Sequence, residues 1–390
     1  VRDFVTLLKS PGLAVVLITQ LAARFPAGMY SLGLLMHVAS TQGNYTSAGL
    51  VLGAFSIGMA IAGPVVSRQL SRFGSTPVLL VTLIFSASTI ATLAALDLPL
   101  AGQMALAAIG GAAIPPVVPT VRTLYPKLVP THRLTALFAF DAALQEVIWV
   151  FGPVLITVLV AGFGTSTALL VVVGIQVAGG LVFALSRSVR SLVIPPAGKR
   201  LGRVLHNPSV LLMTATSMMF IGAFAAIEAA VVATFGEGSM ETGLVLAISS
   251  FGSLLAGLVV GNRQLTHWSL PLRLSVVVVG FAVATLVSGF WGMAIALFIA
   301  GLGIAPALAA VSSVVAGSVP FSETAEAYGW IGTGQLLGSS VGSMLAGVAI
   351  DNAGGHGGVL VAFGIGVLAL LIAVVFRNAQ PDLRASVLAE

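Results

Sequence analysis

The chain has 390 residues, of which 58% are apolar and 7% charged, against about 25% charged in an ordinary soluble domain. So much apolar surface excludes a water-soluble globular fold and points to the bilayer as solvent, in which each span takes about 20 residues. With no cysteine in the sequence, disulfides, thiolate metal sites and cysteine nucleophiles are excluded as well. Five scattered histidines are a poor basis for a metal centre.

Taken in chain order, hydropathy predicts twelve helical spans near 12–37, 46–66, 77–96, 100–126, 136–161, 166–186, 208–232, 241–261, 271–289, 291–317, 324–350 and 358–376. Arg2 and Lys9 precede the first, as in a signal peptide. That run is too long for an h-region and lacks an A-x-A exit, so it is read as a span. Between the sixth and seventh spans lies the longest polar stretch, with Arg187, Arg190, Lys199, Arg200, Arg203 and the turn Pro195-Pro196. The expected division is an N-terminal six-helix bundle over 1–186, a cytoplasmic linker over 187–207 and a C-terminal six-helix bundle over 208–390.

Charge placement sets the expected orientation. With the N-terminus inside, Arg2, Lys9, Arg68, Arg72, Arg122, Lys127, Arg133, the linker cations, Arg263, Arg273, Arg377 and Arg384 all fall on the cytoplasmic side. Only Arg24 remains, within the first span, while Asp97, Glu237, Glu241 and Asp351 mark the outer loops. A +5 net charge distributed in this way reflects topology and does not suggest nucleic-acid binding.

The two halves repeat. Gly49–Val66 (GLVLGAFSIGMAIAGPVV) aligns without a gap on Gly243–Val260 (GLVLAISSFGSLLAGLVV), with ten identities in eighteen positions. A weaker match pairs Gly111, Ile114, Pro116, Pro130, Gln145 and Gly152 with Gly301, Ile304, Pro306, Pro320, Gln335 and Gly342. Spans two, four and five therefore answer to eight, ten and eleven. Such parallel repeats build transporters that rock around a midplane site.

With this repeat, the basic central loop and the stretch from Gly63 through Arg68 and Arg72 to Gly74, the chain resembles the major facilitator superfamily over essentially its whole length. In that loop Ser71 stands where the family usually has aspartate, and Ser75-Thr76 replaces a basic pair. Gly152-Pro153 resembles the core of a motif associated with antiporters. An arginine frequent early in the family's fourth span is absent. The resemblance implies an all-α integral membrane protein of two six-helix bundles, working as a secondary transporter without a cofactor and not as an enzyme.

Charges inside hydrocarbon are the default functional candidates. Arg24 and Glu146 fall near the middle of the first and fifth spans, at depths that suggest a buried pair. Burial and an arginine act oppositely on a carboxylate's proton affinity, so alternating access can move a proton through Glu146; a static pair pinning two helices is the competing reading. Glu228, in the seventh span among small residues, is the third candidate. Asp141 is placed to meet Arg68, Arg72 or Arg122 as a cytoplasmic gate, a role the resemblance also implies, with helix-dipole stabilisation as the alternative. Tyr30, Gln145, Trp149 and Gln335 are candidate substrate contacts. Pro115, Pro116 and Pro119 should break or bend the fourth span. Gly338-Ser-Ser-Val-Gly342 satisfies G-x-S-x-G, but a serine inside an apolar helix cannot form a nucleophile elbow. The sequence has no P-loop.

The functional expectation is a proton-coupled efflux antiporter of small amphipathic molecules, a monomer in the bacterial cytoplasmic membrane with both termini inside. Its expected partners are the substrate, protons and lipid. A sugar, amino-acid or metabolite transporter of the same fold, and a non-transporting receptor or assembly protein on that scaffold, stay open.

Overall fold

The computed structural model describes residues 12–43, 45–195, 201–236, 240–260 and 265–380 and, within these, is all-α. Arg2, Lys9, Lys199, Arg200, Arg263, Arg384, Glu237 and Pro196 lie outside the described residues. In hydrocarbon every backbone amide and carbonyl must be satisfied within the chain, which the helix does locally. The long helices are α1 (Leu13–Arg24), α2 (Ala27–Gln42), α3 (Tyr45–Phe73), α4 (Ser75–Ala95), α5 (Leu100–Ala112), α6 (Val117–Leu128) and α7 (Thr131–Phe163). Then follow α8 (Thr165–Ala184), α9 (Pro208–Phe235), α10 (Met240–Val260), α11 (Ser269–Leu286), α12 (Gly289–Ser318) and α13 (Thr324–Val375).

Among the described residues, eleven helical segments are long and apolar enough to cross a membrane, against twelve expected spans. The difference lies in α13. Its 52 residues would extend about 78 Å at 1.5 Å per residue, more than twice the thickness of a bilayer core. Ala353 and Gly354 leave helical geometry, Gly354 at φ 63°, and the chain folds back so that Gly357 reaches the Ala349 carbonyl. One continuous assignment therefore holds the eleventh and twelfth spans. Two other spans are broken. The first is split at Phe25–Pro26 between α1 and α2, and the fourth at residues 113–116 around Pro115 and Pro116, where prolines cannot donate to the ladder.

The repeat read from sequence is visible as packing. A β-carbon on Gly58 would overlap the Ala108 carbonyl, and one on Gly111 the Phe55 carbonyl. Gly252 and Gly301 stand in the same relation to the carbonyls of Phe298 and Ser249. These are the same four positions displaced by 194 residues on one helix and 190 on the other. The α3–α5 crossing of the first half is thus rebuilt as α10–α12 in the second. Likewise Gly28 meets Gly152 where α2 crosses α7, and Gly222 meets Gly342 where α9 crosses α13.

The described lysines and arginines other than Arg24 gather towards one end of the bundle, here the basic end. They include Arg68, Arg72, Lys127, Arg187, Arg190, Arg203 and Arg377 at helix termini. The contacts joining the two halves lie on that side. Thr333 Oγ1 donates to the Ala60 carbonyl at 2.7 Å, and a β-carbon on Gly329 would come within 2.9 Å of Pro64 Cα. Gly257 of α10 rests on Ala139 and Ala143 of α7.

Helix association in lipid depends on close backbone packing rather than on hydrophobic burial, so identical substitutions should diverge by position. Gly111→Ala and Gly301→Ala, which place a methyl against a backbone carbonyl, are expected to destabilise by about 1–3 kcal/mol. Gly53→Ala and Gly347→Ala meet nothing within 4 Å and should be neutral or stabilising by up to about 1 kcal/mol. Thermal unfolding of the four variants in detergent checks the contrast.

Candidate functional site

Four polar side chains converge on Asp141, which is fully buried on α7. Gln20 and Arg24 are four residues apart on one face of α1; Arg122 and Tyr125 are three apart on α6. The Asp141 Oδ1 atom accepts hydrogen bonds from Gln20 Nε2 at 3.1 Å, Arg24 Nη1 at 3.0 Å and Tyr125 Oη at 2.9 Å. Arg24 Nη1 also donates to Gln20 Oε1 at 2.8 Å. The other oxygen, Oδ2, faces Arg122 Nε at 3.8 Å, too long for a hydrogen bond, and neither of those two atoms has a hydrogen-bond partner. Arg24 and Arg122 are 7% and 8% exposed, so two buried cations share one carboxylate. Such a group is costly to bury and is held by geometry.

Arg122 also reaches across to the other half, its guanidinium 5.6 Å from the centre of the Tyr328 ring. Tyr328 in turn packs on Phe138 and donates to the Ser312 carbonyl at 2.7 Å. The cluster therefore touches the seam between the halves through a cation–π contact.

A second ionic contact closes the basic end. Arg68, near the end of α3, lies 3.6 Å from Glu326 in the first turn of α13. Glu326 is 3% exposed, and its Oε1 accepts the Gly202 amide at 2.7 Å, tying the chain entering the second half to the same carboxylate. Lys127 lies over the Phe321 ring at 4.2 Å.

Several sequence expectations change here. Arg24 is held by Asp141, where depth had suggested Glu146. The fifth span begins at Thr131 rather than near 136, and the first is 30 residues long. Arg24 and Asp141 are then the twelfth and eleventh residues of their spans, both about 17 Å from the basic end, with Glu146 about 24 Å in. The Glu146 side chain lies outside the described residues. Of the three cations expected at Asp141, Arg122 is the one beside it; Arg68 pairs with Glu326, and Arg72 is exposed and stacks on Phe73 at 5.0 Å.

Tyr30, expected as a substrate contact, is 2% exposed. Its hydroxyl donates to Gln176, which donates on to Ser86 at 3.1 Å, so in this conformation it is a packing residue of the first half. Gln145 and Gln335 are half-buried, Trp149 is 51% exposed and Glu228 is exposed. Glu326 was missed. Its signal in the sequence was an acid in the first turn of a helix whose start the Pro130/Pro320 match already marked.

The repeat shows what the charges are not needed for. The second-half counterparts of Gln20, Arg24, Arg122, Tyr125 and Asp141 are Thr214, Met218, Ser312, Val315 and Ile331. The same helix crossings form there with no charge at those five positions.

Two homologous six-helix bundles, joined at one end and with a buried Asp141–arginine cluster in the first, define a secondary transporter that works by alternating access on a small molecule. The sequence profile of the Major Facilitator Superfamily matches residues 16–283 and 210–389, and the chain belongs to that family. It is 24% identical to an uncharacterised MFS-type transporter, y4rN, of Sinorhizobium fredii over 331 residues, 76% of this chain and 78% of the relative.

Among solved structures, the fold is similar to the human organic anion transporter MFSD10 (TM-score 0.72, 17% identity, covering 92% of this chain and 98% of that one). It is also similar to a bacterial homologue of the iron transporter ferroportin in an outward-facing state (0.74, 14%, 93% and 98%). A third likeness is to the Escherichia coli fucose:proton symporter FucP (0.72, 12%, 94% and 98%).

Removing the shared carboxylate should leave two buried arginines uncompensated. Asp141→Leu is expected to cost about 3–5 kcal/mol of stability, and Arg24→Met added to it should recover part of that loss. Thermal melts of the single and double variants measure both effects; an additive loss would contradict the shared-charge arrangement.

Proposed function

We propose that the protein is a proton-coupled exporter of small amphipathic molecules, a monomer in a bacterial cytoplasmic membrane with its basic end in the cytoplasm. The observation that carries this reading is the buried cluster of Asp141 with Arg24 and Arg122 in the first bundle, whose equivalent positions in the second bundle, Ile331, Met218 and Ser312, carry no charge. A charge needed only for packing would be expected at both crossings. One that couples an ion to the rocking of the halves is needed once.

The orientation rests on the clustering of basic residues, which favours the cytoplasmic side. On that orientation the Arg68–Glu326, Thr333–Ala60 and Arg122–Tyr328 contacts close the cytoplasmic gate, and the substrate path opens outward. Opening inward separates Tyr328 from Arg122 and frees the guanidinium to move fully onto Asp141.

Glu146 is the proposed proton carrier. It lies five residues beyond Asp141 on α7, in register with Ala139 and Ala143, the two positions on which Gly257 of the second half packs. Position 146 continues that seam away from the basic end. Glu228, exposed on α9, is the candidate acid on the second half. Gly152, at the α2–α7 crossing, belongs to the Gly-Pro pair that resembles an antiporter motif, and this supports export over uptake.

In proteoliposomes loaded with a fluorescent amphipathic cation, an imposed pH gradient should drive substrate movement. Glu146→Gln is expected to abolish that drive while leaving downhill exchange, a loss of about 100-fold or more in gradient-dependent flux. Gradient-driven flux at the wild-type rate in both Glu146→Gln and Glu228→Gln would remove the proton role from these residues.

A further inference from the structure

The two halves carry a proline at the same place in equivalent helices and accommodate it differently. Pro116 in the first half corresponds to Pro306 in the second. A proline inside a helix removes one amide from the ladder and presses its ring on the carbonyl four residues back, which kinks or breaks the helix. The first half shows the break, with α5 ending at Ala112 and α6 starting at Val117. In the second half α12 runs unbroken through Pro306, from Gly289 to Ser318.

Two side chains from neighbouring helices meet α12 at that point. Ser253 of α10, fully buried, accepts the Ala305 amide on Oγ at 3.2 Å. Arg273 of α11, 8% exposed, donates from Nη1 to the Pro306 carbonyl at 2.7 Å. Glycines bring both within reach. A β-carbon on Gly301 would lie 2.2 Å from the Ser249 carbonyl, one turn from Ser253, and one on Gly303 would lie 2.6 Å from the Arg273 carbonyl. Hydrocarbon holds no water to satisfy a disturbed backbone, so side chains of adjacent helices take that part, and a backbone carbonyl is one of the few partners an arginine finds there. The first half has neither device. Helices α4 and α11 align from Ser75 and Ser269, with Pro77 on Pro271, so Leu79 stands at the position of Arg273. Met59 stands at that of Ser253, and Pro115, at that of Ala305, has no amide to offer.

The clamped point adjoins the seam between the halves. A β-carbon on Gly257 of α10 would lie 3.2 Å from Ala305 Cβ, 3.3 Å from the Ala139 carbonyl and 3.4 Å from Ala143 Cβ, so α10 touches α12 of its own half and α7 of the first half together. We propose that Ser253 and Arg273 are positioning residues for alternating access, which keep α12 continuous across Pro306 and thereby hold α10 against α7 with the basic end closed. This role rests on the gate assignment above and is independent of proton coupling and of export. Without the clamp α12 breaks as its counterpart does, and the basic end opens more readily.

Because the chain has no cysteine, a single one introduced as Thr333→Cys can report on opening. The native Thr333 side chain bonds across the seam to the Ala60 carbonyl, and the readout is the rate at which a polar maleimide labels the new thiol in the purified full-length protein. Adding Arg273→Met should raise that rate about tenfold or more, as for loss of a charge-assisted hydrogen bond, and adding Ser253→Ala should raise it about threefold. Arg273→Lys, which keeps the charge and a donor, should stay nearer the parent rate than Arg273→Met. Val277→Ala is the control for general loosening: Val277 packs on Gly303 of α12 without touching the clamp, so it should lower the melting temperature and leave labelling unchanged. Ser253→Ala alone decides the matter if Arg273→Met does not fold. An unchanged or lower rate in both Arg273→Met and Ser253→Ala, or an equal rise in Val277→Ala, would overturn the proposal.

Discussion

Helices surrounded by lipid gain nothing from hiding apolar side chains from one another, because the lipid is equally apolar. Association then depends on how closely backbones approach, and in this protein glycines set that distance. Gly58 and Gly111 seat α3 and α5 on each other's carbonyls, and Gly252 and Gly301 do the same for α10 and α12. Gly28 with Gly152, and Gly222 with Gly342, fix the α2–α7 and α9–α13 crossings. Each half is rigid through these contacts, and rigid halves are what allow motion to concentrate at the seam between them.

At that seam glycines again allow close approach, Gly329 against Pro64 and Gly257 against Ala139 and Ala143, but polar contacts are added to them. Polar and aromatic groups meet there: Arg68 with Glu326, Thr333 with the Ala60 carbonyl, and Arg122 with the Tyr328 ring. Each can part without leaving a cavity in either bundle. The Asp141 cluster lies where the rigid first half adjoins this separable surface. Its Arg122–Asp141 distance of 3.8 Å leaves the guanidinium between two partners, the carboxylate in its own half and the ring in the other. In the proposed mechanism, moving fully onto the carboxylate takes a shift of about 1 Å, small against the motions that open transporters.

Much of this was legible in the sequence, because hydropathy and glycine spacing record directly what lipid demands. The spans and the six-plus-six repeat follow from them, and the structure places the repeated glycines in equivalent contacts. The pairing of charges was not legible. Depth along a span can be counted only once its ends are known, and the early start of α7, at Thr131 rather than near 136, brings Asp141 into line with Arg24 by a turn or more. Tyr30 illustrates another limit: an aromatic hydroxyl in a span reads the same whether it faces a cavity or a buried glutamine. Glu326 went unnoticed since an acid at a helix start has an ordinary local explanation in the helix dipole.

The central claim is that the halves must separate at the basic end for transport to proceed. The absence of native cysteines makes it directly testable. A β-carbon on Gly63 would lie 3.6 Å from Thr333 Oγ1 across the seam, within reach of a disulfide. In the Gly63→Cys/Thr333→Cys variant, oxidation should stop substrate flux in proteoliposomes and reduction should restore it. Undiminished flux through the fully cross-linked protein would contradict the account.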